Sequence, residues 1–180
     1  MTPADSELIA HCLRNDDTDA FGELVQRHQS AVRRFLRHLA RGDGALADDL
    51  AQETFIQAHR GLLRFRPDSR FETWLLGIAH NQFRNSRRRR RGEAALSEMN
   101  PEETALPSSE RLSDLQMDLA SAMNRLSADE QLSLMLSFQM GLSHSEIAAV
   151  LERPLGTVKI HISRGKERLR QILSPWNPRT

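Results

Sequence analysis

Apolar residues recur at steps of three and four along almost all of this 180-residue chain, and no stretch alternates convincingly with a period of two. Side chains spaced in that way share one face of an α-helix, so the chain is committed to helices that each bury a stripe. Phe21, Leu24, Val25, Val32, Phe35, Leu36 and Leu39 form the first long stripe. Thr18 is placed as its N-cap, with Asp16, Asp17 and Asp19 near the positive end of the helix dipole. Leu46, Leu50, Ala51, Phe55, Ala58 and Leu62 make the next stripe. Phe71, Trp74, Leu75, Ile78, Ala79 and Phe83 make a third, which Ser69 and Glu72 open as a capping box. A shorter helix is expected around Glu7–Arg14, where the single cysteine, Cys12, reads as a small packed residue.

The pattern breaks over 92–109. Gly92, Pro101, Pro107, serines and glutamates gather there with little apolar content, which reads as a linker. Its root-mean-square reach would be roughly 23 Å and its contour limit about 60 Å. Helices resume with Leu112, Leu115, Leu119, Met123 and Leu126. Ser127 and Glu130 spell a capping box opening a helix that buries Leu134, Met135 and Phe138 and stops at Gly141. Ser143 and Glu146 spell another, and a last helix carries Val158, Ile162, Leu169 and Ile172. The expected fold is all-α: two small helical domains, 1–91 and 109–180, joined by a flexible acidic linker, 92–108.

Charge is segregated along the chain although the net is only +1. Residues 1–59 carry six basic and ten acidic groups, 60–91 ten and two, 92–130 two and nine, and 131–180 seven and three. Two basic surfaces separated by an acidic connector favour a partner that is negative at two places, nucleic acid first.

Residues 143–170 have the layout of a helix-turn-helix. Ile147, Ala148, Leu151, Val158 and Ile162 are spaced to pack its two helices together, with Ala148 small at the close approach. The second helix then exposes Lys159, His161, Ser163, Arg164, Lys166 and Arg168, residue types that suit base edges and phosphates in a major groove. A helical hairpin with a solvated basic face is the competing reading. Arg84 and the unbroken run Arg87–Arg91 end the third helix, part of the run frayed or in the linker. Such a run suits phosphates and equally suits a solvated helix end. The loop Phe65–Phe71 combines Arg66 and Arg70 with flanking aromatics, which would suit an unstacked base or simply a turn. The stretch from Asp48 to Ala58 is either a helix with acids matched to its dipole or a docking face for a basic partner helix.

Enzymatic constellations are missing from the sequence. No two of the seven histidines stand three or four residues apart, no glycine-rich phosphate loop follows a strand, and one cysteine makes neither a disulfide framework nor a cysteine-based zinc site. The chain is therefore read as a non-enzyme without cofactor, metal or small-molecule substrate. No apolar run approaches the length of a membrane span, and residues 1–5 do not open a secretory signal, so a cytoplasmic location without membrane insertion is expected.

Four motifs in order carry a resemblance: Asp48-Asp49-Leu50-Ala51-Gln52-Glu53-Thr54-Phe55; Phe71-x-x-Trp74-Leu75-x-x-Ile78-Ala79-x-Asn81; Glu146-Ile147-Ala148; and Gly156-Thr157-Val158-Lys159. Together they resemble bacterial RNA polymerase sigma factors of the extracytoplasmic-function (ECF) type, which keep only sigma regions 2 and 4. The resemblance implies a region 2 bundle in the first domain and a region 4 helix-turn-helix in the second. It implies that Asp48, Asp49, Gln52, Glu53, Phe55 and Ile56 bind the clamp helices of core polymerase. Phe65, Arg66, Ser69, Arg70 and Phe71, with Asn81, would capture a flipped base of the minus-ten element. Arg84, Asn85, Arg87 and Arg88 would hold the adjacent backbone. Thr157, Lys159, His161, Ser163 and Arg164 would read the minus-thirty-five element, with Lys166 and Arg168 beyond them. The linker would thread the polymerase channels, and a cognate anti-sigma factor would hold the protein inactive. Two departures stand out: Ile160-His161 where many relatives have Ser-Arg, and Leu126-Ser127-Ala128-Asp129-Glu130 in place of Leu-Pro followed by basic residues.

The rival reading is a stand-alone helix-turn-helix regulator, which would bind DNA without polymerase, usually as a dimer. It leaves the paired-module layout unexplained.

Overall fold

A computed structural model describes residues 4–15, 17–96 and 121–174, and the chain divides into two compact units, Met1–Leu106 and Pro107–Thr180. Among the described residues there is no strand. The stripe positions Leu112, Leu115 and Leu119, linker residues 97–108 and the tail beyond Ser174 lie outside them.

The first unit contains α1 (Asp5–Asn15), α2 (Thr18–Leu39), α3 (Gly44–Gly61), a 3-10 turn (Leu62–Arg64) and α4 (Phe71–Leu96). The apolar stripes face one another as expected: Leu24, Val32, Phe35, Leu36, Ala47, Ala58, Leu75, Leu76 and Ala79 lose all contact with solvent. Thr54 sits among them with its hydroxyl donating to the Leu50 carbonyl at 2.7 Å, so this buried donor is satisfied. On α1, Leu8, Ile9 and Cys12 are buried. The helix is tied down by Asp5, which takes Arg27 Nη1 at 3.0 Å and His28 Nε2 at 2.8 Å.

Three local expectations are corrected. The cap of α2 is Asp17, whose carboxylate accepts from the amides of Asp19 and Ala20 at 3.0 Å, and Thr18 is the first helical residue. The Ser69–Glu72 box does not form: the Ser69 hydroxyl turns back to the Arg66 carbonyl, and Glu72 takes Arg70 Nη2 at 3.0 Å. The arginine run does not fray, since α4 continues through Arg87–Arg91 and Gly92 to Leu96. Arginine is a good helix former, and with all five side chains exposed the charges spread around the helix axis.

The second unit contains α5 (Ala128–Phe138), α6 (His144–Leu151) and α7 (Leu155–Leu173), preceded by a helical turn at 121–124. Both predicted capping boxes form, Ser127 with Glu130 and Ser143 with Glu146. Gly141, at φ +66°, reverses the chain after α5. Glu152 adopts the left-handed conformation, and Arg153 N bonds the Ala148 carbonyl at 3.0 Å, making the tight turn into α7. Ile147, Val150, Leu151, Val158 and Ile162 are buried between the helices.

One expectation fails in this unit. Phe138 is 64% exposed at the overhanging end of α5, with Lys166 Nζ 4.9 Å from its ring centroid, while Leu142 returns to the core beyond it. A close approach that the sequence did not flag falls at Gly165, between α5 and α7, where an added Cβ would lie 2.8 Å from Leu134 Cδ1; Ala148, on α6, is half-buried.

Candidate functional site

Three exposed surfaces gather the candidate residues. On α3, Asp49, Gln52 and Ile56 fall at i, i+3 and i+7 and form one exposed line. Glu53 stands beside it, half-buried, accepting from Gln57 Nε2 at 2.8 Å. Asp48 is also half-buried. Arg33 Nε lies 3.4 Å from its Oδ1 without the alignment of a hydrogen bond. Phe55 points the other way and packs in the bundle, so its side chain serves the core and leaves the docking line to the other five. Leu63, 83% exposed, extends the line beyond the helix end. The sequence pattern missed Leu63, because an apolar residue beside Leu62 reads as core.

The second surface joins the Phe65–Phe71 loop to α4. Phe65, Phe71 and Trp74 form an aromatic cluster with ring centroids 5.4 to 5.6 Å apart, and His28 meets Phe71 edge-on at 5.4 Å. Phe71 is only 4% exposed, so it supports the loop and presents no open ring face. Phe65 is half-buried, while Arg66, Ser69 and Arg70 are exposed.

Beside the cluster lies an open cleft of about 440 Å³ between the end of α3 and α4, lined by Arg60, Arg64, Trp74, Ile78, Asn81 and Gln82, among others. Gly61 keeps its floor low, since a Cβ there would touch the Trp74 ring at 3.7 Å. Asn81 is thus brought beside two arginines that sequence reasoning did not single out and beside Trp74, which the apolar stripe placed in the core and which is only half-buried. The signal was present in the spacing of Arg60 and Arg64 at i, i+4 and of Trp74, Ile78 and Asn81 at i, i+4, i+7.

From the cleft the face continues along the helix. At about 100° per residue, Trp74, Asn81, Arg84, Asn85 and Arg88 fall within roughly one third of the α4 circumference. Asn85 and Arg88 are exposed and Arg84 is half-buried. Arg87 stands off this track with its guanidinium 5.9 Å from the Phe83 ring centroid. A cleft with aromatic, amide and guanidinium walls, opening onto a cationic track, matches an unstacked base followed by its phosphates.

The third surface is α7. Its exposed residues Lys159, Ser163 and Arg164 share the side away from α5 and α6, while Thr157 and His161 are half-buried on the flanks. Lys166 and Arg168 are exposed but engaged: Lys166 lies over Phe138, and Arg168 Nη1 bonds Glu130 Oε2 at 2.8 Å. Glu130 is 4% exposed. Burial alone would raise its pKa, but hydrogen bonds from the Ser127 amide and side chain, together with Arg168, hold it below the ordinary glutamate value. Arg168 therefore clamps the helix-turn-helix to α5.

Among the described residues no three His, Cys, Asp or Glu side chains come together as a metal would require, and no helix is long and apolar enough to cross a membrane.

Residues 24–93 match the sigma-70 region 2 family and residues 116–169 match the sigma-70 region 4 family. The RNA polymerase sigma factor CarQ of Myxococcus xanthus is 36% identical over 164 residues, which span 89% of this chain and 92% of that protein. The ECF RNA polymerase sigma-E factor of Haemophilus influenzae is 32% identical over 183 residues, 94% of this chain and 95% of that one. Among solved structures, the sigma factor RpoE in complex with the anti-sigma factor NepR from Bartonella quintana superposes with a TM-score of 0.70 at 31% identity, covering 86% of this chain and 96% of that chain.

Proposed function

The chain belongs to the ECF group of bacterial RNA polymerase sigma factors, and from that premise we propose how its surfaces divide the work of initiation. As a sigma factor it binds core RNA polymerase and promoter DNA and sets where transcription starts. The line Asp49, Gln52, Glu53 and Ile56 on α3, with Asp48, docks on the polymerase. The cleft of Arg60, Arg64, Trp74 and Asn81 takes an extruded base of the minus-ten element, and the exposed loop arginines Arg66 and Arg70 hold the same strand. Arg84, Asn85 and Arg88 then hold the backbone of the opened strand. The α7 residues Lys159, Ser163 and Arg164 read the minus-thirty-five element in the major groove. The connection between the two activities begins beyond Leu96, since α4 takes up residues 92–96 of the expected 92–108 linker.

The observation that carries this reading is the α4 face, on which an open cleft walled by Trp74, Asn81 and two arginines and a cationic track share one side of one helix. The stand-alone regulator has no use for that face.

Sigma factors are non-catalytic initiation factors, and this chain supplies binding energy and no bond-making chemistry. It works in the cytoplasm, where polymerase is, and an anti-sigma factor is its remaining partner, as NepR is for the structurally similar RpoE.

The test is co-elution with sigma-free core polymerase, followed by mapping of unpaired thymines with permanganate. Charge reversal at Asp49 and Glu53 should abolish co-elution while leaving the helical spectrum intact. Asn81→Ala should keep co-elution and lose strand opening. Co-elution unaffected by the reversals would remove the docking assignment, and normal opening with Asn81→Ala would remove the base cleft.

A further inference from the structure

One side chain on the outward side of α7 has no task in this scheme. The buried residues Val158, Ile162 and Gly165 define the inward direction, and at about 100° per residue Ile160 lies roughly opposite to it. Ile160 is 50% exposed, and the neighbours on its face, Gly156, Lys159, Ser163 and Arg164, are exposed as well. An apolar side chain thus stands at the centre of a polar and basic face. Gly156, one turn earlier, carries no side chain and meets nothing within 4 Å, so on that side nothing would hold a groove floor away from Ile160. One turn beyond Ser163, Glu167 faces the same way, paired with Arg170 at 2.8 Å.

In a helix docked in the major groove, the first turns meet the base edges. The groove offers hydrogen-bonding groups at every base pair, which suit Lys159, Ser163 and Arg164. It offers one apolar group, the C5-methyl of thymine. We propose that Ile160 is a specificity-determining residue that reads a thymine of the upstream promoter element through that methyl group. The inference rests on α7 being the groove-reading helix, and its test separates the two.

The full chain assembled with core polymerase is used to enrich promoter elements from random duplexes. Each thymine of the enriched upstream element, on either strand, is then replaced in turn by deoxyuridine, which removes only the methyl group. One replacement should weaken wild-type binding about fourfold, the worth of one buried methyl. Ile160→Ser should bind the thymine and deoxyuridine duplexes equally, and Ile160→Val should retain most of the difference. Core-polymerase assembly through the first unit should be the same for both variants, and unchanged amide protection of α5 and α7 shows that the second unit folds. The proposal is overturned if no deoxyuridine weakens wild-type binding, if the fourfold effect persists in Ile160→Ser, or if the enriched element has no thymine. If no upstream element is enriched at all, the groove-reading role of α7 itself fails, and the proposal with it.

Discussion

Replacing Gly165 by alanine should destabilise the second unit, although the same change in most helix interiors is favourable. A glycine within a helix costs roughly 0.5–1 kcal/mol relative to alanine, so propensity alone predicts a gain of that size. Here the new Cβ would lie 2.8 Å from Leu134 Cδ1 and 3.3 Å from its Cγ, distances that force Leu134 to move. Leu134 is buried, and forcing a methyl group into a packed interface costs about 1–3 kcal/mol. The overpacking term wins, and a net loss of about 1–2 kcal/mol is expected. Hydrogen exchange resolved to α5 and α7 reads it directly, as a roughly five- to thirtyfold drop in amide protection. The sign should reverse once space is made. Leu134→Ala alone costs about 2–5 kcal/mol. In that background Gly165→Ala should recover up to about 1 kcal/mol, because propensity then acts unopposed. Increased protection from Gly165→Ala in the otherwise native chain would refute the close approach of α5 and α7.

Glu130→Gln should lower the stability of the second unit by about 1.5–3 kcal/mol at pH 7, the worth of hydrogen bonds to a charged group. Because the folded Glu130 holds its proton less tightly than the unfolded one, its contribution is complete above the ordinary glutamate value of 4.5 and is lost as pH falls through the lower folded value. Thermal melts at pH 7 and pH 3 should therefore show the gap closing, and an equal gap at both would assign the loss to geometry. Asp17→Ala should cost about 1 kcal/mol of first-unit stability as a lost cap, whereas Thr18→Ala should change it by less than about 0.5 kcal/mol. Equal losses in urea titrations would restore Thr18 to the cap. Phe138→Ala should cost no more than about 1 kcal/mol, the range of a partly exposed cation–π contact. A loss of about 3–5 kcal/mol in the same titration would mean that the ring is buried after all.

Most of the fold is legible because helix starts are written in short code. Ser127 with Glu130 and Ser143 with Glu146 each place a hydroxyl and a carboxylate three residues apart, and both boxes form. The code misleads where several candidates crowd together. Asp16, Asp17, Thr18 and Asp19 can each cap, and the winner depends on where the chain leaves α1. Ser69 and Glu72 satisfy the spacing, but Arg70 between them offers the carboxylate a stronger partner. Burial is harder to read at helix ends. Phe138 continues the stripe of Leu134 and Met135, yet α5 stops there and the ring is left largely exposed, with Lys166 over it. The Glu130–Arg168 pair joins residues 38 apart and leaves no local trace, so Arg168 reads from sequence as one more cation for DNA.

The working surface is less legible than the core for a reason that α7 makes plain. Inward positions answer to one demand, apolar volume, so Val158 and Ile162 announce themselves. Outward positions answer to the partner, whose groups are not in the chain. Lys159 and Arg164 are recognisable because a polyanion asks for charge at many places. Ile160 stands out in the sequence only as a departure from relatives, since an apolar residue beside a cationic face names no partner group by itself. Its angular position separates it from Val158 and Ile162: two residues along a helix is about 200°, which carries the side chain to the far side. The same reasoning brings Arg60 and Arg64 to the cleft, where their spacing matters more than their number. An arginine counted in a basic block is only a charge; at i, i+4 beside Trp74 and Asn81 it becomes the wall of a site.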